Sequence, residues 1–243
     1  MTSARAHRSA LLLFVCLLAI TACRTATAPA PGETTSTNPS VSTIPPFKTK
    51  EPERYSATRT ITVVEPNGDT TITRNLIARD GPKRREEQQT GIVYLDLSEG
   101  RFVLSPDDKT YSAVTTDEAA NLSTEEAVEK SPDRLLHTDP ISTTYQLIGT
   151  ETIAGRNVTK FRVVVNDPGT ETVKPSETLI WIDSALNMPI KGEMKSPDGV
   201  VIVNELSDIT LQPDKQLFQI PAGYEKIPFS ALQKQLKTRG LNP

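Results

Sequence analysis

Reactive side chains are scarce in this chain. It has two cysteines, Cys16 and Cys23, and two histidines, His7 and His137. Cys23 has the most informative setting. It ends the string Leu17-Leu18-Ala19-Ile20-Thr21-Ala22-Cys23, with Arg5 and Arg8 upstream and an apolar stretch from Ala10 to Ile20 between them. A charged start, an apolar middle and small residues before a break are the parts of an export signal. The apolar run is about 11 residues, against roughly 20 for a helix that spans a bilayer. An uncleaved anchor helix is therefore disfavoured, while an ordinary cleaved signal with an incidental Cys23 stays open. Cys16 lies inside the apolar run and leaves with it, as does His7. His137 stands alone beside Asp139, and a general base needs partners that orient it. There is no metal-ligand cluster, glycine-rich phosphate loop or nucleophile elbow in the sequence. The expectation is a non-enzymatic protein with no catalytic residue, no metal and no cofactor.

The position of Cys23 directly after small residues resembles the lipobox of bacterial lipoproteins. That resemblance implies a diacylglyceryl thioether on Cys23, cleavage before it and acylation of the new amino group. The chemistry needs a nucleophilic sulfur at that one place, with small neighbours that let the peptidase close on the backbone. Arg24 is not the aspartate that marks inner-membrane retention in some Gram-negative bacteria. The implied location is the cell envelope, with the outer membrane favoured.

Removal of residues 1–22 takes away Arg5 and Arg8 and no acidic residue, moving the formal charge from −3 to −5. Such a chain has no basic face to displace counterions from nucleic acid and no polybasic patch for anionic lipid heads. With Cys23 acylated, thiol catalysis, disulfides and zinc–thiolate sites are excluded too. Residues 24–52 hold six prolines and ten Ser/Thr. Such a stretch buries too little apolar surface to offset its ordering entropy, so 23–52 reads as a lipidated terminus and flexible tether. Its coil span is about 30 Å and its extended limit about 95 Å.

From Tyr55 onward the pattern has period two, as in Thr60-Ile61-Thr62-Val63 and Thr71-Ile72-Thr73-Arg74-Asn75-Leu76. Pro66-Asn67-Gly68-Asp69 between them suits a tight hairpin. Further strands are expected at 84–90, 92–97, 101–104, 110–114, 143–153, 158–165, 177–183, 190–195 and 200–211. Short connections with turn residues imply antiparallel pairing, since parallel strands need long crossovers. Ser123-Thr124-Glu125-Glu126 has capping-box spacing and Ser131-Pro132 suits a helix start, so two short helices are expected within 116–137. Another is expected at Phe229–Lys237. The run Lys83-Arg84-Arg85-Glu86-Glu87 reads as a strand that shows both charge signs to solvent. Leu179-Ile180-Trp181-Ile182 is apolar on both faces and needs cover on both sides.

Ile180-Trp181-Ile182-Asp183, then Asn187-Met188-Pro189-Ile190, a hairpin, and Leu217-Phe218-Gln219-Ile220-Pro221-Ala222-Gly223-Tyr224 together resemble the LolA/LolB-like superfamily of lipoprotein carriers, receptors and related envelope lipoproteins. The resemblance covers about 143–226 and, more loosely, 55–115. It implies a mainly β (α+β) fold: a strongly curved antiparallel sheet, an incomplete barrel of about 10–11 strands, with short helices plugging its concave face. The domain spans 53–228, followed by a C-terminal helix and tail over 229–243. The resemblance also implies a cavity for acyl chains, with Tyr145, Phe161, Val163, Leu179 and Trp181 as lining. The implied partners are the membrane, through lipidated Cys23, and a lipid or lipoprotein ligand. The alternative is a protein-binding or sensor module for an envelope partner, its cavity filled by its own helices. The soluble carrier of this family has no anchor, and the receptor's protruding loop is not recognisable here, so neither specific activity carries over.

Overall fold

The computed structural model describes residues 41–115, 143–165 and 176–241. The export signal, Cys23, tether residues 24–40, the helices expected within 116–137, and His137 lie outside the described residues. The strands are β1 (Val41–Ser42), β2 (Arg54–Val64), β3 (Thr70–Asp80), β4 (Lys83–Glu87), β5 (Val93–Leu97), β6 (Gly100–Ser105), β7 (Thr110–Val114), β8 (Thr143–Ile153), β9 (Arg156–Val165), β10 (Ser176–Asp183), β11 (Met188–Lys195), β12 (Val201–Thr210) and β13 (Glu225–Lys226). They form one 13-stranded sheet in the order β1-β8-β9-β10-β11-β12-β2-β3-β4-β5-β6-β7-β13. Its ends do not pair with each other, so the expected incomplete barrel is what forms. All neighbours pair antiparallel except β13, which lies parallel to β7. That is a small correction to the all-antiparallel expectation. Eleven strands, β2 to β12, have five or more residues, in line with the expected count.

Turn chemistry sets the hairpins. At β2–β3, Asn67 accepts from the Asp69 amide at 3.0 Å and donates to its carboxylate at 2.7 Å, while Gly68 takes φ +91°. At β8–β9, Ile153 faces Arg156, leaving a two-residue loop in which Ala154 and Gly155 both have positive φ. That is the twist a two-residue hairpin requires.

The sheet is covered on both sides at its β5–β6 end. Val93, Leu95, Phe102 and Leu104 pack with Ile220 and Tyr224 of the Leu217–Tyr224 string. On the other face, α1 (Phe229–Thr238) buries Phe229, Leu232 and Leu236 against Ile92, Val103 and Val114. Between these covers the chain passes round the β7 edge as β13, whose Glu225 amide donates to the Lys109 carbonyl, while the amide of the following Ile227 donates to the Tyr111 carbonyl. Arg239 closes the wrap on Asp107, Asp108 and Ser105. An otherwise open edge is thereby paired.

Residues 41–52, expected to belong to the tether, are instead packed on the domain. Val41 and Ser42 pair with Gln146 and Tyr145, the Lys50 amide donates to the Asn187 carbonyl at 3.0 Å, and Phe47 sits on Tyr145 and Phe161. Glu51 holds the segment's end. Its carboxylate accepts from Arg84 at 2.8 and 2.6 Å, from Arg79 at 2.9 Å and from the Tyr55 hydroxyl at 2.8 Å. The charge run 83–87 is thus not simply solvated. Arg84 pairs with Glu51 and Glu86 with Arg59, and the Arg85 side chain is 11% exposed. Composition points to a coil here because polar residues that pair over long range look the same in sequence as polar residues that pair with water.

Burial pushes the Glu51 carboxyl up, but hydrogen bonds from Arg84 and Tyr55 and the charges of Arg84 and Arg79 outweigh it and leave it below its ordinary value. A depressed folded value gives stability that is present above the unfolded pKa of 4.5 and lost as pH falls through the folded one. Glu51→Gln is expected to cost about 2 kcal/mol at pH 7. In urea titrations at successive pH values, the gap between wild type and variant should close below pH 4.5. A gap that stays constant down to pH 2 would contradict this role for Glu51.

Candidate functional site

Register decides which apolar residues share a face. Tyr145 faces Val163, Val163 faces Thr178, Leu147 faces Phe161 and Phe161 faces Ile180. Directly opposed residues point to the same side, and neighbours along a strand to opposite sides. Tyr145, Phe161 and Val163 therefore lie on one face, with Ile180 and Ile182 of β10 among them. The five form one buried cluster, and Phe47 packs over it. The Phe47 ring is edge-on to Tyr145 at 5.7 Å and tilted on Phe161 at 4.9 Å.

Leu179 and Trp181 alternate with Ile180 and Ile182 and so project from the other face of β10. Trp181 is buried in a separate cluster with Tyr55, Ala57, Val158, Met188, Ile190 and Leu206, and Leu179 packs against it. The five residues expected to line one cavity are thus divided three and two between opposite faces. The apolar run 179–182 does receive cover on both sides, as its pattern demands, though from β strands and Phe47 among the described residues.

Trp181 is held on every side. Lys160 and Lys191, directly opposite it on β9 and β11, place their ammonium groups 4.6 and 4.9 Å from the ring centroid. Its indole N–H donates to Glu151, and Lys191 stands 3.8 Å from Glu205. A cation over an indole face is attracted by the ring quadrupole.

Asp183, which ends the Ile180-Trp181-Ile182-Asp183 string, also has a structural task. The Asp183 side chain is 2% exposed. It accepts from the amides of Ala185 and Leu186 at 2.8 Å each and from Arg156. The Asn187 amide returns to the Asp183 carbonyl at 2.8 Å, with Asn187 at φ +52°. This fixes the turn that leads into Met188-Pro189.

Two polar details separate the clusters. Tyr55 gives its hydroxyl to Glu51 and Trp181 its N–H to Glu151. Tyr145, only 1% exposed, has a buried hydroxyl with no hydrogen-bond partner among the described residues. No group of three or more His, Cys, Asp or Glu side chains able to hold a metal occurs among the described residues.

Sequence reasoning missed Phe47, Ile180 and Ile182. Phe47 is the one aromatic in residues 24–52, a signal that segment composition hides. Ile180 and Ile182 were visible as the partners of Trp181 in the two-faced strand.

No family model matches the chain, and no curated protein matches it. Among solved structures it is similar to a LolA superfamily protein from Nitrosomonas europaea, with 13% identity over 70% of this chain and 92% of that one and a TM-score of 0.31. It is similar to the lipoprotein LppX of Mycobacterium tuberculosis, with 14% identity, 66% and 88% coverage and a TM-score of 0.36. It is also similar to a Pseudomonas aeruginosa MucA/MucB complex chain, with 14% identity, 70% and 56% coverage and a TM-score of 0.44. The first of these neighbours is of the kind the sequence resemblance names. At such identities and TM-scores nothing about ligand or partner passes from those proteins to this one.

Proposed function

We propose that this chain is an envelope lipoprotein, anchored through lipidated Cys23, whose curved β domain binds an apolar ligand: a lipid or the acyl chains of another lipoprotein. The observation that carries this reading is the patch of Tyr145, Phe161, Val163, Ile180 and Ile182, gathered from three adjacent strands on one face and covered by Phe47. A hydrocarbon chain loses about 0.8 kcal/mol for each methylene left in water. An aliphatic and aromatic surface shields it without directional chemistry, so the binding needs no catalytic group. Leu179 and Trp181 fall outside this site. An anchored domain receives, holds or senses its ligand beside one membrane, as a receptor or sorting factor does, and does not shuttle between two.

The test is native mass spectrometry of the full chain with Cys23→Ser, purified from envelope extracts. Bound lipid, lost on Phe161→Asp, supports the proposal; a lipid-free protein that binds no added lipid refutes it. A second reading, a protein-binding or sensor module, draws on a different observation. Val41, Ile44, Leu147 and Ile148 are 63%, 73%, 48% and 48% exposed along the edge where β1 meets β8. A lipid-free protein that captures an envelope protein through that edge would favour it.

A further inference from the structure

The Tyr145 hydroxyl is the polar atom in the patch that the rest of the site does not use. The residue is 1% exposed and the hydroxyl has no partner among the described residues. A buried hydroxyl without a partner costs about 1–3 kcal/mol. Phenylalanine fills the same space at no such cost and stands one strand away, at Phe161. The apolar side chains packed with it, Phe161, Val163, Ile180, Ile182 and Phe47, offer the hydroxyl no acceptor.

Resting on the reading of the patch as an acyl-chain site, we propose that Tyr145 donates a hydrogen bond to the carbonyl oxygen of the ester that joins an acyl chain to its glycerol. An ester carbonyl is the acceptor that lies nearest the hydrocarbon in any acylglycerol. Its neighbouring methylenes then pack on Phe161, Val163, Ile180 and Ile182. The way in is past Phe47, which lies on both rings. Tyr145 thus sets the depth at which the chain stops, and the site discriminates acyl esters from alkyl ethers of the same length. Glycerophospholipids and the diacylglyceryl group of a lipoprotein share this chemistry.

The experiment titrates the full chain, carrying Cys23→Ser, with two probe pairs by calorimetry. One pair is a short-chain diacyl phosphatidylglycerol and its dialkyl ether analogue. The other is a diacylglyceryl-cysteine lipopeptide and its dialkyl ether analogue. The expected result is about five- to tenfold tighter binding of the ester form in at least one pair, and that pair names the source. Tyr145→Phe should erase the preference, leave ether binding unchanged and leave Tm unchanged or higher. Equal binding of ester and ether forms by the wild type overturns the inference while leaving lipid binding intact. A Tyr145→Phe variant that loses both forms equally and melts lower also overturns it, since that is the signature of packing. Binding of no probe overturns the proposed function and this inference with it.

Discussion

Trp181→Ala lowers the stability of the domain by about 4 kcal/mol, read as a shift of the urea midpoint with unchanged slope. The truncation opens a cavity among Tyr55, Val158, Met188, Ile190 and Leu206, all buried. It removes the ring that the Lys160 and Lys191 ammonium groups stand over, and it leaves Glu151 without its indole donor. For a domain of this size the melting temperature falls by about 10 °C. Trp181→Phe keeps most of the volume and part of the cation–π attraction, so its cost is about 1–2 kcal/mol. Because Trp181 lies on the face away from Tyr145, Trp181→Phe is expected to leave the proposed lipid binding unchanged. A Trp181→Phe variant that folds normally but no longer binds lipid would place the ligand on the wrong side of β10 in the proposal above.

On the proposed anchor, Cys23→Ser is expected to move the protein from the membrane fraction to the soluble fraction almost completely. A diacylglyceryl group with an amide-linked third chain removes dozens of methylenes from water, at about 0.8 kcal/mol each, and the sequence has no polybasic segment to compensate. Fractionation of cell envelopes, followed by metabolic labelling with an alkyne fatty acid, reads both location and lipidation. Label that persists in Cys23→Ser, or a variant that still sediments with membranes, would refute the anchor.

How much of this was legible in the sequence varies by element. The strands Thr110–Val114 and Thr143–Ile153 and the helix starting at Phe229 were expected where they occur, because period-two or helical spacing there is bounded by turn residues. The N-terminal arm was not legible. Val41, Phe47 and Glu51 sit among prolines and threonines, and only long-range partners on β8, β9, β3 and β4 give them order. The division of the candidate site was hidden for another reason. Alternation within 179–182 separates Trp181 from Ile180, but which of the two joins Phe161 depends on cross-strand register. The connection between Val165 and Ser176 is too long to fix register as a two-residue hairpin does. The irregularities at Leu147/Gly149 and Trp181/Ile182 shift pairing further, and no residue pattern announces them. Tyr145 is marked in the sequence only as implied lining, and nothing there shows that its hydroxyl has no partner among the described residues.

The place of β2 in the sheet governs the order of assembly. It pairs with β3 through a tight turn on one side, and on the other with β12, which follows it by more than half the chain. Two local meanders, β3 to β7 and β8 to β12, are able to form early, since their contacts close short loops. The seam between them has to wait for Val201–Thr210 to find Arg54–Val64, and that search carries the largest loop-closure entropy in the domain. Until the seam closes, the inner edges of both meanders are bare. The sheet is therefore completed only after Val201–Thr210 has emerged. A truncation before Val201 would leave two sticky half-sheets rather than one smaller domain.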